Sequence, residues 1–138
     1  MKKSFILIAM LCIALGVVCT SCKKKDSSKK LDEVTLYGTA IDGTTGEPLY
    51  NVQIYLEKYP EFDKSGESYT DSDFGVVGTS VTGMDGTYEF TIYDVVQNGH
   101  YGAYAEKVGY KEDEKTVTFL NVKSGGRVKV DFQLTRSN

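Results

Sequence analysis

The residues best suited to chemistry lie in one stretch, Tyr59 to Gly75. Glu61, Asp63, Glu67, Asp71 and Asp73 place carboxylates there, and a hard cation such as calcium takes oxygen ligands. Asp71-Ser72-Asp73-Phe74-Gly75 sets two carboxylates two apart before a glycine, a spacing found in calcium loops. The bidentate glutamate that completes an EF-hand loop is absent at its proper distance. Asp71 and Asp73 are therefore calcium candidates with an incomplete ligand set, and a solvated acidic loop is the simpler reading. Aromatic residues share the stretch: Tyr55, Tyr59, Phe62, Tyr69 and Phe74 lie on it or beside it. They can pack the loop onto the domain, form the centre of a protein contact, where tyrosine is enriched, or stack on sugar rings. The chain has ten tyrosines and no tryptophan, so a tryptophan sugar platform is excluded. The candidate binding loop is thus Tyr59, Phe62, Tyr69, Asp71, Asp73 and Phe74. His100, the single histidine, stands at the start of a strand, an ordinary surface position. There is no HExxH, CxxC, P-loop or GxGxxG and no recognisable nucleophile motif. No catalytic residue is assigned, and no cofactor is expected.

A different chemistry is written at the start of the chain. Lys2 and Lys3 precede an uncharged run from Phe5 to Val18, then Cys19-Thr20-Ser21 and Cys22. A spanning helix needs about 20 apolar residues, and this run is shorter. The order of basic, apolar, small and cysteine resembles a bacterial lipoprotein signal, with Ser21-Cys22 fitting the looser form of the Bacteroidota. The resemblance implies cleavage of residues 1–21 and acylation of Cys22, with Cys19 a rival site. The following residues, Lys23 to Lys30, hold five lysines and no hydrophobic residue. They read as a flexible tether, assigned to residues 22–33 with the lipidated cysteine.

Composition narrows the rest. Removing residues 1–21 takes away Lys2 and Lys3, so sixteen basic residues become fourteen against nineteen acidic, a net charge of −5. Scattered lysines on an acidic domain do not make the basic face that nucleic acid requires. Cys12, Cys19 and Cys22 all belong to the signal region, so the folded part has no thiol for a disulfide, a metal or a nucleophile.

The segments that must position the loop read as strands. Short alternating runs bounded by turn residues recur: Val34–Asp42, Asn51–Lys58, Val76–Thr82, Thr87–Tyr93, His100–Glu106, Lys115–Leu120 and Arg127–Thr135. Leu36, Gly38 and Ala40 share one side, as do Val52, Ile54 and Leu56; Tyr88, Phe90 and Ile92; and Val128, Val130, Phe132 and Leu134. Gly83-Met84-Asp85-Gly86 is a tight turn. The expectation is all-β: a seven-stranded antiparallel β-sandwich over residues 34–138, preceded by signal peptide and tether. The connection from Tyr59 to Gly75 is long for a loop without a role of its own.

Three blocks in order carry a second resemblance: Gly38-Thr39-Ala40-Ile41-Asp42 with Thr45-Gly46-Glu47-Pro48-Leu49 and Asn51-Val52; Thr82 to Phe90; and Val108-Gly109-Tyr110. Together they resemble the carboxypeptidase regulatory-like domain, a transthyretin-like (prealbumin-like) sandwich related in shape to immunoglobulin-like ones. The resemblance implies an accessory module without catalytic residues. With the lipoprotein signal, it leads to the expectation of a non-enzymatic, lipid-anchored protein of the cell envelope, at the outer membrane. Its partners would be the membrane, through the anchor, and an envelope protein. The alternative is a carbohydrate-binding lipoprotein that captures glycan. An intramolecular Lys–Asn cross-link is discounted, because Val34–Asp42 contains no lysine.

Overall fold

The computed structural model describes residues 29–60 and 74–138. The strands are β1 (Lys30–Asp42), β2 (Gln53–Lys58), β3 (Gly75–Val81), β4 (Thr87–Val96), β5 (Tyr101–Glu106), β6 (Asp113–Val117), β7 (Gly126–Lys129) and β8 (Phe132–Leu134). They form an all-β sandwich. One sheet runs β4-β1-β7, with β8 also paired to β1; the other runs β3-β2-β5-β6.

The alternation in the sequence becomes the two faces of each sheet. Val34, Leu36 and Ala40 point into the sandwich from β1, and Ile54 and Leu56 from β2. Tyr88 and Ile92 add to the inner face of the first sheet from β4, and Ala103 and Ala105 to that of the second from β5. Full burial of a large apolar side chain contributes about 1.5–3 kcal/mol, and Phe119 and Phe132 are both wholly buried. Tyr101 meets Phe119 edge-on at 4.9 Å. Its hydroxyl accepts from the Val96 amide at 3.0 Å, so the ring is buried with its polar atom satisfied. β1 begins at Lys30 rather than Val34, because Leu31 is buried and pairs with Val95. The strand thus takes in residues 30–33, which the sequence reading assigns to the tether.

The sheets differ from the expected seven antiparallel strands in two linked ways. The described residues form eight strands, and β7 and β8 run parallel to β1. The final run, Arg127–Thr135, is one strand interrupted in the middle. Its register is continuous across the break: Val34 lies opposite Gly126, Tyr37 opposite Lys129 and Ala40 opposite Phe132. The interruption comes from Asp131. Its Oδ1 accepts from the Thr39 amide at 3.0 Å and from the Thr39 hydroxyl at 3.1 Å, taking the amide where the ladder is interrupted. Gly38 allows the close approach, since a Cβ there would sit 1.9 Å from the Val130 carbonyl oxygen.

The sandwich has two distinct poles. The start of β1, the end of β4 and the start of β5 meet at one, where Lys30 pairs with Val96 and Lys58 with Tyr101 and Gly75. The turns at 43–48, 83–86 and 107–110 form the other. There Asp42, almost wholly buried, gathers the chain. It accepts from the amides of Thr44 (2.8 Å) and Thr45 (3.1 Å), from the Tyr110 hydroxyl (2.9 Å) and from Arg136 Nε (3.0 Å). These donors hold its carboxyl far below the usual carboxylate range, the Thr44 and Thr45 amides contributing most.

Candidate functional site

The side chains with the richest polar contacts stand on the outer face of the β3-β2-β5-β6 sheet. Because Ile54 and Leu56 point inward, Gln53, Tyr55 and Glu57 point outward from β2. The same alternation turns Gly102, Tyr104 and Glu106 outward from β5. Register then sets Tyr55 beside Tyr104 and Tyr104 beside Glu114. The Tyr55 and Tyr104 rings stack with centroids 4.9 Å apart and planes 10° apart. That separation matches the spacing of neighbouring strands. The rings therefore stand on edge above the sheet and cover each other's faces.

Tyr59, just beyond β2, folds back onto this face. Its amide donates to the His100 carbonyl at 2.8 Å. Its hydroxyl meets that of Tyr104, and both reach Glu114 Oε1, at 2.8 and 3.1 Å. Gly102 leaves room for it, because a Cβ there would lie 2.5 Å from the Tyr59 hydroxyl. The Tyr55 hydroxyl donates to Glu112 Oε2 at 3.0 Å. Ionisation of Tyr59 is pushed upward, first by the hydrogen bond with Tyr104, then by burial and by Glu114. That of Tyr55 is pushed upward by burial and then by Glu112.

Toward the pole with the turns, the face opens into a cleft of about 480 Å³ lined by Asn51, Gln53, Glu106, Lys107, Tyr110 and Glu112. Glu106 has its carboxyl pushed upward, chiefly because it hydrogen-bonds to the Glu112 carboxylate and then because it is partly desolvated. The Lys107 Nζ donates to the Tyr50 carbonyl at 2.8 Å. Among the described residues, no group of three or more histidine, cysteine or acidic side chains is placed to hold a metal.

Of the loop residues singled out in the sequence, Tyr59 is half-buried on this face, and Phe74 is exposed where the chain enters β3. Phe62, Tyr69, Asp71 and Asp73 lie outside the described residues, as do Cys22 and the signal. His100 is exposed. Tyr104, Glu106, Glu112 and Glu114 complete the site and were not singled out. The alternation of β5 already placed Tyr104 and Glu106 on its polar side, but only the pairing of β2, β5 and β6 brings them to Tyr55 and Tyr59.

No protein-family model matches the chain, and no curated protein does. Solved structures do resemble it in fold. Chlorocatechol 1,2-dioxygenase from Pseudomonas putida aligns with a TM-score of 0.52 at 16% identity, over 80% of this chain and 63% of that one. The 3-chlorocatechol 1,2-dioxygenase of Rhodococcus opacus 1CP aligns with a TM-score of 0.50 at 14% identity, over 82% and 63%. The Bacillus anthracis TIE protein aligns with a TM-score of 0.50 at 17% identity, over 76% of this chain but 17% of that one. The chain thus spans less than two thirds of each, and the likeness is one of fold alone.

Proposed function

We propose that this protein is a non-catalytic, lipid-anchored accessory module of the cell envelope that presents the tyrosine–carboxylate face to a protein partner. The carrying observation is the state of that face. Three tyrosines, Tyr55, Tyr59 and Tyr104, are fixed by stacking and by Glu112 and Glu114. A rigid, tyrosine-rich surface loses little side-chain freedom on binding, which is where interface energy is otherwise spent. The lipoprotein-like signal ending at Cys22, the polar segment after it and the resemblance to carboxypeptidase regulatory-like domains support the same reading. The dioxygenase likeness, being of fold, does not carry their activity here. Glycan capture is the weaker alternative, because stacking closes one face of each of Tyr55 and Tyr104 to a sugar.

Two measurements test this. Labelled palmitate should be incorporated into the full-length protein and lost in Cys22→Ser. A photo-cross-linking residue in place of Glu57 should join the lipoprotein, in its native membrane, to one recurrent envelope protein. Tyr55→Ala should weaken that product several-fold. Cross-linking to no recurrent protein, together with binding of glycans in titration, would replace the partner reading by the glycan one.

A further inference from the structure

We infer that β3 is the docking edge of this module, and that it takes an extended segment of the partner as an added strand. The inference rests on the interaction reading above and names its mode. β3 is the outermost strand of its sheet. Its ladder with β2 has a definite phase. The Thr82 amide donates to the Val52 carbonyl at 3.0 Å, so Thr82, Ser80 and Gly78 bond inward toward Val52, Ile54 and Leu56. The amides and carbonyls of Val81 and Thr79 must then point to the open edge, and no described residue pairs with them.

The other edges are guarded in the ways proteins use against strand addition. β6 carries Asp113, Glu114 and Lys115, β7 carries Arg127 and Lys129, and β4 carries Glu89 and Asp94. β3 has no charge and no proline, and from Phe74 to Met84 there is neither. Val76 and Val81 are 59% and 47% exposed. Its one protection among the described residues is a bulge, where the register with Leu56 and Glu57 shifts. That lies at the start of the strand and leaves Gly78 to Val81 regular. Thr79 is also the register partner of Tyr55, so a strand added to β3 extends the sheet that carries the tyrosine face.

A second copy is the obvious rival occupant, and the anchor argues against it. Two copies joined symmetrically through β3 pair antiparallel, with their Lys30 poles at opposite ends. β1 has thirteen residues, which separates the poles by about 40 Å. The chain from Cys22 to Lys29, however arranged, reaches at most about 25 Å. Two anchored copies in one leaflet cannot both meet that limit upright, whereas a segment from another protein faces no such constraint.

The test is hydrogen exchange of the β3 peptide, 75–82, in the full-length lipoprotein in native membranes and in purified Cys22→Ser protein. Exchange of this peptide is expected to slow about tenfold or more in the membrane. Thr79→Pro, which removes an outward amide and spares the bonds to β2, should abolish the slowing, while Thr79→Val keeps it. Equal exchange in both settings overturns the inference. So does protection in the purified protein that appears with dimerisation, since it assigns the edge to a second copy. If β3 is unprotected while the Glu57 cross-link persists, the docking mode fails and the interaction reading stands; loss of both fells both.

Discussion

Thr82→Val tests whether a single hydroxyl ties the pole of turns together. Thr82 is 2% exposed. Its Oγ1 accepts from the Val52 amide at 2.9 Å and donates to the Leu49 carbonyl at 2.6 Å. It thus stands in for a ladder bond where β2 begins, and it satisfies two buried backbone groups at once. Valine has nearly the same shape but leaves both unpaired. Each buried donor or acceptor so stranded costs about 1–3 kcal/mol, so a loss of about 3 kcal/mol is a conservative expectation. Thr82→Ser keeps the hydroxyl and removes one methyl, at about 0.8 kcal/mol. The assay is urea unfolding of the Cys22→Ser protein, followed by far-ultraviolet circular dichroism. With a slope of about 1.5 kcal/mol per molar urea, the valine variant's midpoint should fall by about 2 M and the serine variant's by about 0.5 M. Equal losses in the two variants would refute the reasoning, because packing alone would then account for both.

Asp42 gives a pH test with a definite sign. Its folded carboxyl is held below the unfolded value of about 3.9, so its stabilisation is complete above that value and disappears as pH falls toward the folded one. The stability gap between wild type and Asp42→Asn should be constant from neutral pH to about 5 and should narrow below about 4 in acid unfolding. Gly38→Ala forces a Cβ to within 1.9 Å of a backbone oxygen. Overpacking of this kind costs about 3 kcal/mol, and thermal unfolding should show a Tm lower by about 12 °C or more. An unchanged Tm would mean that β7 moves aside freely. Glu112→Gln replaces the carboxylate whose hydrogen bond, and to a lesser degree whose charge, raises the Glu106 carboxyl, so a carbon-detected NMR titration should show the Glu106 midpoint falling toward the ordinary range.

The inward faces of β1, β2, β4 and β8 were legible because each depends only on alternation within its own run. Val52, Ile54 and Leu56 show this plainly. What escaped depends on partners distant in the chain. The pairing of β7 and β8 with β1 joins residues about ninety positions apart, and alternation does not distinguish parallel from antiparallel neighbours. The break at Asp131 is a contest between one side chain and a ladder, visible only once Thr39 lies opposite. The early start of β1 escaped because Leu31 stands alone between lysine and aspartate. The site was partly legible for the same reason. Tyr55 and Tyr59 were noticed as aromatics beside a loop, but their partners come from β5 and from the β6 region.

The position of β1 has a consequence for the order of events in a cell. β1 lies between β4 and the β7–β8 run, so the first strand of the domain is completed only by its last. Contacts so far apart in sequence form late and slowly. In a chain threaded through a membrane with its amino end leading, the sheet cannot close until the carboxyl end has arrived. Under the envelope location proposed above, this topology would delay folding before the chain has crossed and so help to keep it fit for export.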